Sequence, residues 1–209
     1  MKIQIKNFTK KIKKNTILEN INLEFNNGNI YGIVGRNGSG KSILLKSICG
    51  LATITSGEIL IDNKIIGKDI EIHPKIGAVL DNSGFLLNLS GIENLKLLAS
   101  INHIATIDDI KKSMTLVGLN PDDKKPYKAY SLGMKQKLSI AQALMETPEI
   151  LILDEPFNGL DKYSVENIIK LLIDFKNQDK LIIICSHIHS DLDLLCDKIY
   201  ELDNGKVIF

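Results

Sequence analysis

No stretch of this chain approaches the ~20 consecutive apolar residues that a membrane-spanning helix requires. No secretory apolar segment follows Met1, so the expectation is a cytoplasmic protein that reaches a membrane only through a partner. Charge of one sign is also lacking: 26 Lys and Arg stand against 25 Asp and Glu, a net charge of +1. That balance gives no field for gathering DNA or RNA, and nucleic acid is not expected as a partner. Cysteine is scarce. Cys49, Cys185 and Cys196 are odd in number, widely spaced and set in apolar stretches, so they read as buried thiols in a reducing compartment without metal-ligand spacing. Internal repeats and low-complexity linkers are absent. What is there is 209 residues, 44% of them apolar, enough for one well-cored domain with at most a small subdomain.

The most informative segment is Gly35-Arg36-Asn37-Gly38-Ser39-Gly40-Lys41-Ser42, a complete G-x-x-x-x-G-K-S phosphate loop. Ile30–Val34 before it reads as a buried strand, and Ser42–Ile48 after it reads as a helix. Gly35, Gly38 and Gly40 let the backbone turn successive N–H groups toward one anion. Lys41 then reaches the outer phosphates, and the Ser42 hydroxyl becomes a Mg²⁺ ligand. This chain is expected to bind a nucleoside triphosphate.

Around the loop, Ile3, Ile5 and Phe8, then Ile21, Leu23 and Phe25, predict half-buried strands joined through the turn signal Asn26-Asn27-Gly28. The run Lys10, Lys11, Lys13, Lys14 reads as a solvated loop, with contact to acidic lipid heads as the other reading. Further strands are expected at Gly57–Asn63 and Ile76–Leu80. Ser90 and Glu93 form a capping box that opens a helix, a second helix runs from Thr106 to Val117, and Ser131 caps a third reaching about Met145. These helices form an insert, a subdomain of about residues 82–145 within a single domain spanning 1–209. Beyond it, Ile150–Leu153 and Leu181–Cys185 are continuous apolar runs, as buried parallel strands are. A helix is expected from Tyr163 to Asn177, a short one from Ser190, and a hairpin around Asn204-Gly205. The fold class is α/β: a mainly parallel core with helices, an N-terminal antiparallel β subdomain and a helical insert.

Asp154 and Glu155 leave the strand Ile150–Leu153 at its C-terminal end, the edge that faces the ligand crevice in open α/β sheets. Beside a phosphate loop, Asp154 is the expected outer partner of the Mg²⁺ shell. Glu155 is the candidate to orient and deprotonate the attacking water, its extra methylene reaching past the metal shell. His187 ends the strand Leu181–Cys185 and is placed to touch the γ-phosphate, whereas His73, His103 and His189 read as ordinary surface or core residues.

Taken together, these residues resemble the ATP-binding-cassette (ABC) ATPases, the nucleotide-binding subunits of ABC transporters. The resemblance covers the whole chain and rests on the loop 35–42, Tyr130-Ser131-Leu132-Gly133-Met134, Ile150–Glu155, Asn158-Gly159-Leu160-Asp161 and His187, all in the family's order. It implies ATP and Mg²⁺ as ligands and a head-to-tail dimer, homomeric or pseudo-symmetric, that sandwiches two ATP molecules. Ser131 and Gly133 at a helix N-terminus would bind the γ-phosphate held by the opposite subunit, with the Leu132 side chain pointing away. Asp161 would carry contacts across the dimer. Asp81 stands where the family usually has a Gln that links the Mg²⁺ site to the membrane partner, and is the further candidate metal contact. Ile12 stands where an aromatic commonly stacks on adenine, so weaker purine discrimination is expected.

The Tyr130–Gln136 and Asn88–Leu95 segments are similar to one subgroup, the exporter ATPases of bacitracin-resistance and lantibiotic-immunity systems. Such proteins pair with separately encoded integral membrane subunits, which would hold this chain at the inner face of the membrane. The lack of a long C-terminal extension points away from importers with regulatory domains. Phe85, Leu86, Leu87 and Leu89 read either as core of the insert or as a groove for a partner's cytoplasmic helix. Two other classes stand beside the transport reading. A soluble ABC-type ATPase acting on nucleic acid or the ribosome would be expected to carry coiled-coil arms, zinc modules or a second cassette. A small-molecule kinase would not need Ser131, Gly133 or His187.

Overall fold

The computed structural model describes residues 1–80, 84–188 and 192–208. Among these, strands β1 (Lys2–Ile12), β2 (Asn15–Asn26), β4 (Ser56–Ile61) and β5 (Lys64–Ile65) form an antiparallel sheet in the order β2-β1-β4-β5. A second sheet has the order β10-β9-β3-β8-β7-β6, with β3 (Asn29–Val34), β6 (Ile76–Val79), β7 (Ile150–Asp154), β8 (Leu181–Ser186), β9 (Lys198–Asp203) and β10 (Lys206–Val207). All its pairings are parallel except the terminal β9–β10 hairpin. The helices are α1 (Lys41–Ile48), α2 (Gly91–Asn102), α3 (Ile107–Leu116), α4 (Leu132–Leu144) and α5 (Lys162–Asn177).

The parallel sheet is buried on both faces, which explains the unbroken apolar runs of β7 and β8. Alternate residues go to opposite cores. Leu151, Leu153, Ile182 and Ile184 join α4, α5 and the inner faces of α2 and α3. Ile150, Ile152, Leu181 and Ile183 join α1 and the antiparallel sheet. Each helix of the insert begins as its sequence dictates: Ser90–Glu93 and Thr106–Asp109 are complete capping boxes, and Ser131 accepts from Met134 N.

Two expectations are corrected. The hairpin joining β1 to β2 turns at Lys13-Lys14, closed by the Ile12–Asn15 pair, with Lys13 at φ +55. Asn27-Gly28 instead carries the chain from β2 into β3, because the long β1 and β2 exhaust the register before it. Lys10 is not a solvated loop residue either. It lies within β1, is buried, and its Nζ donates to Thr53 O (2.6 Å) and Thr53 Oγ1 (3.0 Å). The apolar run of the insert divides between its two readings. Phe85 is buried with its ring 5.1 Å from that of Tyr127, whereas Leu86 and Leu87 remain 51% and 58% exposed. The buried amide of Asn94 accepts from Leu86 N (2.7 Å) and donates to Leu86 O (3.1 Å) and Ser90 O (3.0 Å), tying that loop to α2. The short helix expected from Ser190 lies outside the described residues, as do His189 and Asp81.

Candidate functional site

Three chain segments that are distant in sequence meet at one edge of the parallel sheet. Val34 is in register with Ser186, and Asp154 with Cys185, so the phosphate loop, the acid pair and His187 all leave the C-terminal ends of adjacent strands. The phosphate loop and the acid pair border a cleft of about 470 Å³ that also takes in Ile17, Ile43, Gln136 and Asn158, and His187 reaches it through Glu155. A crevice at this edge is where open α/β sheets hold ligands.

The loop is built to receive an anion. Gly38 and Gly40 sit at φ +83 and +107, conformations that suit glycine. At Gly35 a β-carbon would collide with the Leu202 carbonyl and lie 2.7 Å from Ser39 Oγ, so only glycine lets the loop lie against β9. Gly40 ends the loop as the N-cap of α1 with no side-chain cap and no acid in the first turn. The first N–H groups of α1 are thereby left for an external acceptor. Lys41 is buried, and its Nζ donates to Gly35 O (2.6 Å) and Arg36 O (3.2 Å). Ser39 Oγ is the buried side-chain oxygen that lacks a partner among the described residues. An orphaned hydroxyl, an uncapped helix and an ammonium whose hydrogen bonds among the described residues go to loop carbonyls fit a bound polyphosphate.

Beside the loop, Ser42 Oγ donates to Asp154 Oδ2 at 2.6 Å across 112 positions of sequence. A hydroxyl and a carboxylate this close are a hard-oxygen pair suited to Mg²⁺ next to phosphates. Glu155 follows at φ +49, outside the usual range for a non-glycine residue. His187 Nδ1 donates to Glu155 Oε1 at 2.9 Å, with side chains 45% and 28% exposed, so both reach solvent and Glu155 does so in the cleft. A carboxylate only accepts, which places the imidazole proton on Nδ1. Behind them, burial and then the nearby Asp154 carboxylate push the Cys185 thiol well above its ordinary range. It is a packing residue. Cys49 is buried and pushed up to about 12 by the same loss of solvent.

Other sequence-predicted residues lie elsewhere. Ser131 is exposed at the start of α4, with its hydroxyl accepting from Met134 N (3.2 Å), and does not line the cleft of its own chain. Gly133 follows in the first turn of α4, where a β-carbon would lie 2.9 Å from Gly159 O. Between them Leu132, expected to point away, does border the cleft: it is exposed and lies over Gly159, 2.5 Å from where that residue's β-carbon would be. Asp161 caps α5, accepting from Ser164 N (2.9 Å). Ile12 is exposed at the end of β1 and outside the cleft lining, while Ile17 of β2 is within it. Ile17 was not singled out from the sequence, and Gln136 and Asn158 entered only as members of the Tyr130–Gln136 and Asn158–Asp161 segments, with no role given to either. Ile17 reads as one more strand aliphatic, and only the i, i+4 spacing of Gln136 from Leu132 hinted at a shared helix face.

Fold and site together define a P-loop nucleoside triphosphatase. The family model described as ABC transporter matches residues 18–158. The ABC transporter ATP-binding protein YybJ of Bacillus subtilis (strain 168) is 42% identical over 98% of this chain and 94% of its own length. The bacitracin transport ATP-binding protein BcrA of Enterococcus faecalis is 36% identical over 99% of this chain and 68% of its own. The lantibiotic transport ATP-binding protein SrtF of Streptococcus pyogenes is 37% identical over 99% and 89%. Among solved structures, the dimeric post-hydrolysis state of the ATP-binding cassette MJ0796, bound to ADP and Pi, superposes with a TM-score of 0.88. It is 25% identical and covers 99% of this chain and 97% of that one. This chain belongs to the ABC transporter family, as an ATP-binding ATPase subunit.

Proposed function

We propose that this chain is the ATP-hydrolysing subunit of an exporter for antimicrobial peptides or other small amphiphiles. It works as a dimer, held at the inner membrane face by a separate integral membrane subunit. The observation that carries the hydrolytic reading is the convergence of Ser42–Asp154 (2.6 Å) and Glu155–His187 (2.9 Å) beside the phosphate loop. The likeness to bacitracin and lantibiotic transport proteins supports the exporter reading. No described helix is long and apolar enough to cross a membrane, and in this reading translocation belongs to the membrane subunit.

In this reading the N–H groups of 36–42 and Lys41 bind the triphosphate, Lys41 exchanging the Gly35 and Arg36 carbonyls for phosphate oxygens. Ser42 and Asp154 would hold Mg²⁺, which when bound neutralises charge on the phosphate oxygens. Glu155 takes the proton of the attacking water, and His187 holds Glu155 Oε1 so that the other carboxylate oxygen faces that water. Ser131 and Gly133, which are not among the residues lining their own cleft, serve the γ-phosphate of the second subunit through the N-terminus of α4. Asp161 contributes to the same interface, and Asp81 is the proposed link between the metal site and the membrane partner. The insert, about residues 82–145, carries the motion outward through the exposed pair Leu86 and Leu87.

Glu155→Gln tests the assignment. ATP turnover should be lost while ATP binding is kept, and the variant should accumulate as an ATP-bound dimer in size-exclusion chromatography with light scattering. Persisting activity with a monomeric, ATP-loaded protein would remove Glu155 from its role.

A further inference from the structure

Gln136 lies one turn beyond Leu132 on the face of α4 that meets the loop after β7. Its Nε2 donates to Glu155 O (3.3 Å) and Pro156 O (3.2 Å). The Glu155 carbonyl also accepts from Asn158 N (3.2 Å), and Glu155 N donates to Cys185 O (2.9 Å). These bonds surround a residue whose φ of +49 is not one it would choose alone. Pro156 brings no N–H of its own, so the loop has one donor fewer with which to hold itself there. The contact continues toward the start of α4, where Leu132 covers Gly159 and Gly133 lies against the Gly159 carbonyl.

From this arrangement we infer that Gln136 is a positioning residue for Glu155. It fixes the main chain from which the carboxylate is aimed and joins that aim to the Ser131 end of α4. An amide suits the task because its nitrogen carries a hydrogen for each of the two carbonyls. An ionised Glu at 136 would present oxygens to those carbonyls, and a Leu would present nothing. Without the donor, Glu155 can relax toward negative φ, which rotates its side chain away from the water it serves. Any shift of α4 as its N-terminus meets an anion would then be felt at the Glu155 backbone of the same chain. The inference rests on Glu155 acting as the base.

Steady-state ATP turnover and nucleotide affinity of the full chain, carrying Gln136→Leu, Gln136→Glu, Glu155→Gln or Gln136→Leu with Glu155→Gln, test it. Both Gln136 variants should lower kcat roughly tenfold to a hundredfold, with KM and the nucleotide Kd within about twofold of the parent. In the Glu155→Gln background, Gln136→Leu should cost no further turnover, because the group it positions is already gone. A Gln136→Glu protein as active as the parent, a loss confined to KM, or an additive loss in the double variant would overturn the inference. If Glu155→Gln alone retains full turnover, the assignment of the base falls, and the positioning role falls with it.

Discussion

Replacing Gly40 by Ala places a methyl group at the junction of the phosphate loop and α1. Two costs can be worked out separately. The backbone there has φ +107 and ψ 2, and holding an L-residue in such a region costs about 1–3 kcal/mol. The new β-carbon would also lie 2.7 Å from Leu18 Cδ2 and 3.3 Å from Ile17 O. Leu18 is a terminal branch that could swing aside on a surface, but it is fully buried. Overpacking of this kind costs about 1–3 kcal/mol more. The sum, roughly 2–6 kcal/mol, is a large part of the ~5–15 kcal/mol that holds a domain together. Gly38→Ala is the control: its φ is +83, yet a β-carbon there meets nothing within 4 Å, so only the backbone cost applies. Urea unfolding without nucleotide should rank the proteins parent, Gly38→Ala, Gly40→Ala, with unchanged m-values. Adding Leu18→Ala to Gly40→Ala should shrink the cost of the glycine substitution toward that of Gly38→Ala, since the colliding methyl is removed. Equal midpoints for Gly38→Ala and Gly40→Ala would refute the steric argument. A Gly38→Ala protein as stable as the parent would refute the conformational one.

The capping boxes predict acid sensitivity. Glu93 and Asp109 are held below their ordinary values of 4.5 and 3.8, chiefly by hydrogen bonds from the Ser90 and Thr106 hydroxyls. A lowered folded value means their stabilisation is complete above those ordinary values and is lost as pH falls through the folded ones. The urea-midpoint gap between the parent and a Glu93→Ala, Asp109→Ala double variant should therefore be constant near neutrality and close below about pH 4; a gap that persists unchanged in acid would refute this. Ile17 lines the cleft and no aromatic ring is among its described lining residues, so aliphatic packing of the nucleotide base is expected. ATP and GTP turnover should lie within about threefold of each other, and a strong preference for ATP would show that other groups read the base.

Helix starts and the phosphate loop were readable because their causes are local. A Ser or Thr three residues before Glu or Asp closes its own box, and a glycine at the right spacing sets its own φ. The same local reasoning failed at Lys10, whose partner Thr53 is 43 residues away, and at Asn27-Gly28, whose turn signal does not say which strands it joins. Ile17 and Gln136 escaped because neither carries a chemical mark. Their importance comes from facing a cleft and a loop that other segments build.

Residue order alone determined that a polyphosphate is bound, since the glycines, lysine and serine of 35–42 act through their own backbone and nearest neighbours. It also determined the alternation of strand and helix, through apolar runs long enough to be buried on both faces. The tertiary structure decided what surrounds that loop. Parallel pairing of β3 with β8 and of β8 with β7 brings Ser42 to Asp154 and His187 to Glu155, contacts that span 112 and 32 positions and have no local cause. The packing of α4 on the loop after β7 then ties the Ser131 end of that helix to the backbone of Glu155. Sequence spacing cannot encode such a contact, because it depends on how two separately formed elements meet.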